Sequence, residues 1–235
     1  MEFEEKWTMH GLAESDPGCR KSVDELKTLI LECGFLPLFR NAVPGFSVEE
    51  NVSSRYWWSG DAAADPWEWR MILAEDADIA YGKFFNGASG FISKDWFPYF
   101  AQLKRDGYDS DSAAEEGLLN RRLVKLMGAF KSGGEIIFSN VLKNETCLGG
   151  AFETALGMAQ NKSFLICHSF AQRINRQGMP YGWHVARYCV PELKFGRDAV
   201  RSRYDMPADD AREAVFSQVR HNFRAEEGAL KKLFK

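Results

Sequence analysis

The sequence lacks the features of a membrane or secreted protein. No apolar run approaches the roughly 20 residues needed to cross a bilayer. The first residues, Met-Glu-Phe-Glu-Glu-Lys, are acidic where a signal peptide would be basic and then apolar. The 5 cysteines are an odd number at irregular spacing, which does not favour a disulfide framework. These absences predict a cytoplasmic protein that does not associate with a membrane.

The common motifs of catalysis and nucleotide binding are also missing. The sequence contains no Gly-x-Ser-x-Gly elbow, no Gly-x-Gly-x-x-Gly loop and no phosphate-loop lysine motif. No Cys–His pair has the spacing of a catalytic dyad, because the one Cys-His step joins adjacent residues. We therefore predict no cofactor and no activated nucleophile of a known type.

Four residues of metal-binding type lie close together in the sequence: Cys167, His168, His184 and Cys189. If they belong to two strands, Cys167 and His168 point to opposite faces, and so do His184 and Cys189. At most one ligand from each strand would then share a side, whereas zinc usually takes three or four protein ligands. We predict no metal site and interpret these residues as packed cysteines and hydrogen-bonded histidines.

What is present is the composition of a folded protein. Apolar residues make up 45% of the 235 residues, charged residues 27% and aromatic residues 14%, with 18 Phe, 7 Trp and 7 Tyr. This balance excludes a mostly disordered chain, a collagen-like repeat and a coiled coil. The length allows one large domain or two small ones.

Charge is distributed unevenly along the chain, whose formal net charge is −3. Residues 1–100 contain 9 Lys and Arg against 17 Asp and Glu, whereas residues 101–235 contain 21 against 16. Between Lys162 and Arg203 there are 8 basic groups and only 2 acidic ones. An acidic half joined to a basic half is typical of a protein whose second half meets a polyanion, although ordinary variation on a solvated surface gives the same pattern.

In the first half, helical periodicity and turn signals predict three helices and a hairpin. Ser22, with Glu25 three residues later, is a typical helix cap, and Gly34 is a typical helix end. Asn86-Gly87 between two β-rich runs is a strong hairpin signal. The predicted elements are a helix over 22–33, an extended stretch over 35–39, a helix over 66–73, a hairpin over 79–93 and a helix over 95–105.

The second half predicts helices followed by two strands. The predicted elements are a helix over 113–131, a short apolar run over 135–138, a brief helix to 143, a helix over 152–161, β-rich runs over 164–170 and 183–190, and a helical tail over 208–234. Turn residues over 106–112 mark a boundary. We predict segments 1–107, 108–195 and 196–235, and no internal repeat of constant period is visible.

The order helix, short strand, two helices, strand, basic turn and strand is that of a winged helix. The predicted fold class is therefore α+β, built from tandem winged-helix-like units in which helices accompany small antiparallel β-hairpins. In such units the third helix can enter a major groove while the hairpin wing contacts the backbone or the minor groove. The wing would present Arg173, Arg176 and Arg187 to DNA phosphates, with Lys162 just before its first strand.

An aromatic cluster is the unusual feature of the first half. Its members are Tyr56, Trp57, Trp58, Trp67 and Trp69. Such rings stack on unpaired bases in some nucleic-acid-binding proteins. The surrounding charge is negative, which would repel a phosphate strand, so we favour packing of these rings in the core.

Several short strings give the chain a family resemblance over about residues 20–195. They are Gly34-Phe35-Leu36-Pro37-Leu38, Asp65-Pro66-Trp67-Glu68-Trp69-Arg70, Ala80-Tyr81-Gly82-Lys83-Phe84-Phe85, Gly90-Phe91-Ile92-Ser93 and Tyr181-Gly182-Trp183. With these strings the chain resembles a family of bacterial proteins described as AlkZ-related. The AlkZ proteins are DNA glycosylases built from tandem winged helices. The resemblance implies winged-helix units and a link to DNA repair.

The catalytic motif of the AlkZ glycosylases is not intact in this sequence. Those enzymes use Gln-x-Gln or Gln-x-Asp to place a water at the sugar carbon, whereas no two glutamines here are two positions apart. The nearest match is Gln160-Asn161-Lys162. If the resemblance extends to catalysis, Gln160 and Lys162 are the candidate catalytic residues, with Lys162 able to form a Schiff base if it loses its proton. A lysine at a helix end also interacts favourably with the helix dipole, which needs no catalysis.

Three functions therefore remain open. The first is DNA binding through the basic wing without assured catalysis, which requires Arg173 and Arg176 to be exposed and free of neighbouring carboxylates. The second is an AlkZ-like glycosylase with an open site near Gln160. The third is a protein-interaction module, which a large exposed cluster of rings would favour.

Overall fold

One antiparallel sheet runs through both halves of the chain in the computed structural model, which describes residues 9–235. The strands are β1 Phe35–Pro37, β2 Ile79–Phe85, β3 Ala88–Ser93, β4 Ile137–Phe138, β5 Ile166–Ile174 and β6 Pro180–Cys189. Their order in the sheet is β1-β3-β2-β5-β6-β4. The acidic first residues, used above to argue against a signal peptide, lie outside the described residues.

Helices make up most of the remaining regular structure. They are α1 Val23–Cys33, α2 Val48–Asn51, α3 Pro66–Glu75, α4 Phe97–Arg105, α5 Ser110–Glu115, α6 Arg121–Met127, α7 Ser139–Thr146, α8 Phe152–Asn161, α9 Pro191–Phe195, α10 Arg197–Arg201, α11 Ala208–Asn222 and α12 Glu227–Leu233. Within the described part of the chain, no helix has the length and apolar character required to span a bilayer. The combination of helices with an antiparallel sheet confirms the α+β class.

The same order of elements occurs twice along the chain. The first set is α1-β1-α2-α3-β2-β3, and the second is α6-β4-α7-α8-β5-β6. In each set the third strand pairs with the other two. The sets meet where β2 pairs with β5 at Tyr81 and Cys167. Counted inward from either edge of the sheet, the strands are the first, third and second of their set. The repeat is one of topology, which explains why no constant period is visible in the residues.

Local sequence signals account for the predicted elements of the first half. The Ser22 hydroxyl accepts a hydrogen bond from the Glu25 amide at 3.3 Å, which caps the start of α1. Gly34 ends α1 with a φ of 80°, in the region that favours glycine. Asn86 and Gly87 have φ values of 52° and 88°, as a two-residue type I′ hairpin turn requires.

Two predicted helices are each divided, so the predictions over 113–131 and 208–234 are wrong in part. The first consists of α5, α6 and a 3₁₀ turn, because Gly117 has a φ of 71°, which interrupts the helix. The Asn120 side chain then caps the start of α6 by accepting hydrogen bonds from two backbone N–H groups. The second consists of α11 and α12, with Phe223 extended between them. Apolar spacing continues across both breaks, which is why periodicity did not reveal them.

β5 and β6 form a two-stranded ribbon that extends beyond the rest of the sheet. Both strands are longer than the predicted β-rich runs, because β5 continues to Ile174 and β6 starts at Pro180. The turn between them is held by Asn175, whose amide donates to the Met179 carbonyl at 2.9 Å. We call β5, β6 and this turn the ribbon, and residues 173–180 its tip.

The buried side chains form two clusters. The larger includes the first half and the C-terminal tail, since the Phe234 ring centroid lies 5.6 Å from those of Phe35 and Phe85. The smaller draws its buried residues from 113–165. The division at residues 107 and 195 stays a prediction. The sheet crosses the first of these boundaries, and the tail packs against the first segment.

Candidate nucleic-acid interface

The tip of the ribbon carries two of the predicted DNA-binding arginines into solvent. Every residue from Arg173 to His184 is exposed. Within residues 9–235, no carboxylate lies within 4.0 Å of the Arg173 or Arg176 guanidinium. These two cations are therefore placed where a phosphate can reach them, and the DNA contact itself stays a prediction.

Arg187, the third predicted arginine, has partners at the base of the ribbon. It is half-buried, and its Nε donates a hydrogen bond to the Ser169 hydroxyl at 2.8 Å. Its guanidinium carbon lies 5.6 Å from the ring centroid of Phe138, the residue opposite it in β4. Arg187 thus joins β4 and β5 to β6, and this position does not favour its predicted role in binding phosphate.

The helix that precedes the ribbon in the chain contributes little positive charge. α8 contains no Lys or Arg, and its most exposed side chains are Glu153 and Thr154. Its other face is buried in the smaller core cluster, through residues such as Phe152 and Ala159. A carboxylate on the exposed face opposes approach to phosphate. Of the two elements predicted to contact DNA, the ribbon tip therefore carries exposed positive charge and α8 does not.

Gln160, the first candidate catalytic residue, is buried between α8 and β2. It is 2% exposed. Its side-chain oxygen accepts a hydrogen bond from the Lys83 amide at 3.1 Å, and its Nε2 donates to the Leu156 carbonyl at 3.2 Å. Both ends of the amide are thus used inside the protein. The catalytic role of Gln160 stays a prediction that this burial does not favour.

Lys162, the second candidate, ends α8 at the edge of a positive pocket of about 470 Å³. Lys104, Arg212 and Lys231 also line this pocket. Burial, together with the charge of Lys162, lowers the pKa of Lys104 to about 8. The Lys104 ammonium donates to the Phe234 carbonyl at 2.9 Å. Lys104 is absent from the sequence-based prediction because the burial that lowers its pKa depends on the docked C-terminal tail.

An aromatic groove lies on the side of the ribbon, and sequence reasoning did not identify it. Trp58 and Trp67 from the first half line it together with Gln172, Trp183 and His184 from the ribbon. Its volume is about 820 Å³. Trp183 is 89% exposed and Trp58 is 51% exposed, so the expectation that the aromatic cluster packs in the core is wrong for Trp58. The expectation holds for Trp57 and Trp69, which are buried.

A buried arginine forms part of the groove wall. Arg70 is only 9% exposed, and its guanidinium carbon lies 3.8 Å from the Trp67 ring centroid and 4.5 Å from that of Phe170. The Arg70 Nε is buried without a hydrogen-bond partner in the described structure. The signal that could have found this site is the Trp-x-x-Arg spacing of Trp67 and Arg70, which places a ring and a cation on one face of α3.

Comparison with known proteins identifies the family. The family model described as AlkZ related matches residues 20–235, nearly the whole chain. The chain belongs to the AlkZ-related family. No curated protein and no solved structure matches it. The resemblance inferred from the short sequence strings is therefore confirmed, and it extends further along the chain than residue 195.

Two of the strings that carry this resemblance meet in the structure of the AlkZ-related protein. Trp67, Glu68 and Arg70 from the string on α3 line the aromatic groove, and so do Gly182 and Trp183 from the string on β6. These strings are more than 100 residues apart in the sequence. The sheet brings them together because β2 and β5 are neighbours.

The cysteines and histidines of the AlkZ-related protein are not arranged around a metal. No group of three or more His, Cys, Asp or Glu residues with metal-binding geometry exists in the region from 9 to 235. Cys167 and Cys189 are buried free thiols, and burial raises the pKa of each to about 12. The His168 Nδ1 lies 3.0 Å from the Ser169 hydroxyl, and burial lowers the pKa of this histidine.

Proposed function

We propose that this AlkZ-related protein binds DNA through the tip of its ribbon and acts in DNA repair. The observation that carries the proposal is the exposure of Arg173 and Arg176 without a carboxylate partner. Planar guanidinium groups suit bidentate contacts with phosphate oxygens. Membership of a family named for its relation to AlkZ supports a link to repair.

The topology supports an interpretation of both halves as winged-helix-like units. Each set of elements has the order helix, strand, helix, helix, strand, strand, with the third strand in the centre of its three. In the second unit α8 takes the place of the groove-binding helix, and the ribbon takes the place of the wing. Because α8 is not basic, we expect the ribbon to supply most of the phosphate contacts.

A salt titration of duplex binding tests the proposal. The logarithm of the affinity should fall linearly with the logarithm of salt concentration, because each neutralised phosphate releases counterions. Replacing Arg173 and Arg176 together by Ala should weaken binding and reduce the slope by about 1.8, which corresponds to two lost phosphate contacts. Fluorescence anisotropy with a labelled duplex measures both quantities.

The matched control is Arg224→Ala, since Arg224 is also exposed but belongs to the segment between α11 and α12 and not to the ribbon. It should leave both the affinity and the slope unchanged. The proposal fails if the wild-type protein binds no duplex at low salt, if binding does not depend on salt, or if the control variant weakens binding as much as the ribbon variant.

A protein-interaction module is the second candidate function, and one observation favours it. The ribbon exposes apolar side chains as well as cations, namely Ile174, Met179, Tyr181 and Trp183, which are between 48% and 89% exposed. Exposed apolar patches on soluble proteins often mark binding surfaces. A protein that only docks a partner through such a patch need not bind a duplex, so the absence of duplex binding at low salt would favour this second function. The base-excision alternative requires Gln160 to be open to a substrate, and its burial argues against that role.

A further inference from the structure

The aromatic groove has the chemistry of a site for a flat ring. The Trp58 and Trp67 ring centroids are 6.2 Å apart with an interplanar angle of 54°, so the two rings form an angled wall. Trp183 lines the same groove from the ribbon and has 89% of its surface in contact with solvent. A tryptophan with this degree of exposure buries little of its ring in the described structure. Stacking on an incoming ring would bury the Trp183 ring.

Charges around the groove distinguish a base from a phosphate. The Glu68 carboxylate lines the groove and would repel a phosphate, but it can accept hydrogen bonds from the amino groups of bases. Gln172 also lines the groove and provides an amide, whose Nε2 donates to the Gly182 carbonyl at 3.3 Å. A site with rings, one carboxylate and a neutral amide suits the faces and edges of a base.

The position of the groove relates it to the DNA-binding tip. Gln172, in the groove, directly precedes Arg173, and both belong to β5. Neighbouring side chains of a regular strand point to opposite faces, and β5 has a register shift between Ala171 and Arg173. Phosphates held by Arg173 and Arg176 would keep the same strand of DNA within a few residues of the groove. The ribbon thus carries both the phosphate contacts and one of the ring contacts, Trp183, as expected when one ligand supplies both a backbone and a base.

We propose that the groove formed by Trp58, Trp67, Trp183 and Arg70 holds an unpaired base of DNA that is bound at the ribbon tip. The inference rests on the proposed DNA binding and adds the class of DNA recognised, namely DNA with a base out of its stack. A base in an intact duplex is paired and stacked, so its faces are covered. An unpaired base offers both faces and its hydrogen-bonding edge to the groove.

The experiment compares two labelled DNA probes by fluorescence anisotropy. One is a fully paired duplex of about two helical turns, and the other has the same sequence with one additional unpaired base in one strand. Trp183→Ala should lower the affinity for the bulged probe about 5- to 140-fold, the range for losing one stacked base, and should leave the paired probe unchanged. Because Trp183 is so exposed, this substitution leaves the core intact.

Two further variants test whether the effect requires a ring at this position in the groove. Trp183→Phe keeps a ring and should restore most of the affinity for the bulged probe. Tyr108→Ala removes another exposed ring, 38% exposed and outside the groove, and should affect neither probe. The variant with Arg173 and Arg176 replaced by Ala should weaken the binding of both probes by a similar factor, since the two probes differ by only one phosphate.

Each outcome decides between the two proposals. If Trp183→Ala weakens both probes equally, or neither, the groove does not hold an unpaired base, and DNA binding at the tip is unaffected by that result. If the wild-type protein binds neither probe, both proposals are overturned. If the groove instead docks an apolar segment of a protein, Trp183→Ala would leave the affinities for both DNA probes unchanged.

Discussion

Loss of the Arg105 guanidinium should destabilise the protein strongly, because this charge is buried among several hydrogen-bond partners. The Arg105 side chain is 1% exposed. Its Nε donates to the Ser163 hydroxyl at 2.9 Å, and one of its terminal nitrogens donates to Glu192 Oε1 at 2.5 Å and to the Tyr204 hydroxyl at 2.8 Å. Its other terminal nitrogen donates to the Ser163 carbonyl. One side chain thus links α4, the loop after α8, and α9.

Arg105→Met keeps a long apolar side chain but leaves Glu192 without its partner. Removing one member of a buried ion pair costs about 3–5 kcal/mol, because the remaining charge is buried without compensation. The Glu192 side chain is 19% exposed and keeps some hydration, so we expect the lower end of this range. For a chain of this size a loss of about 3 kcal/mol corresponds to a fall in Tm of about 6–12 °C.

Urea titration monitored by circular dichroism measures this loss, and a double-mutant cycle tests its cause. The further variant Glu192→Met removes the uncompensated charge, so the double variant should be more stable than the sum of the two single losses predicts. Arg224→Met is the control and should change the free energy of unfolding by less than about 0.5 kcal/mol. A loss below about 1 kcal/mol for Arg105→Met, or strictly additive single losses, would refute the reasoning.

Three further predictions concern buried groups. A maleimide should label only Cys147 in the native protein at neutral pH and all 5 cysteines after unfolding, because the other four thiols are buried; mass spectrometry that finds a second rapidly labelled thiol contradicts this. Burial lowers the pKa of Lys194 from 10.5 to about 8. Between pH 8 and pH 10.5 the unfolded state therefore binds more protons than the folded state, so the free energy of unfolding should rise with pH. This rise should be steeper in the wild type than in Lys194→Met, and equal slopes in urea titrations at several pH values would contradict the prediction. Gln160→Leu should lower stability by about 1–3 kcal/mol because the Lys83 amide loses its acceptor, and an unchanged denaturation midpoint would show that this hydrogen bond is dispensable.

Elements with local causes were predictable from the sequence. The cap at Ser22, the end at Gly34 and the turn at Asn86-Gly87 each depend on residues within a few positions, and each is confirmed. The pair of strands with a basic tip was also predicted, although both strands are longer than expected. The break at Gly117 was not predicted, because a glycine inside an apolar pattern does not by itself show that its φ is positive.

The candidate sites depended on contacts that no local pattern contains. Gln160 was a candidate because of its neighbours in the sequence, but its partner Lys83 is 77 positions away. Arg187 looks like Arg173 in the sequence, yet it differs in burial because β4 packs beside it. Trp58 was grouped with Trp57, and only the fold separates an exposed ring from a buried one.

By itself, the sequence determined the α+β class, the family and those elements that have local caps and turns, because such signals act over one or two turns of chain. The tertiary structure alone decided which cations reach solvent and which rings form a groove. The pairing of β2 with β5 brings Arg70 and Trp183 to one surface from distant parts of the chain. Burial and charge pairing are properties of such long-range contacts, so the binding surface exists only once the sheet has formed.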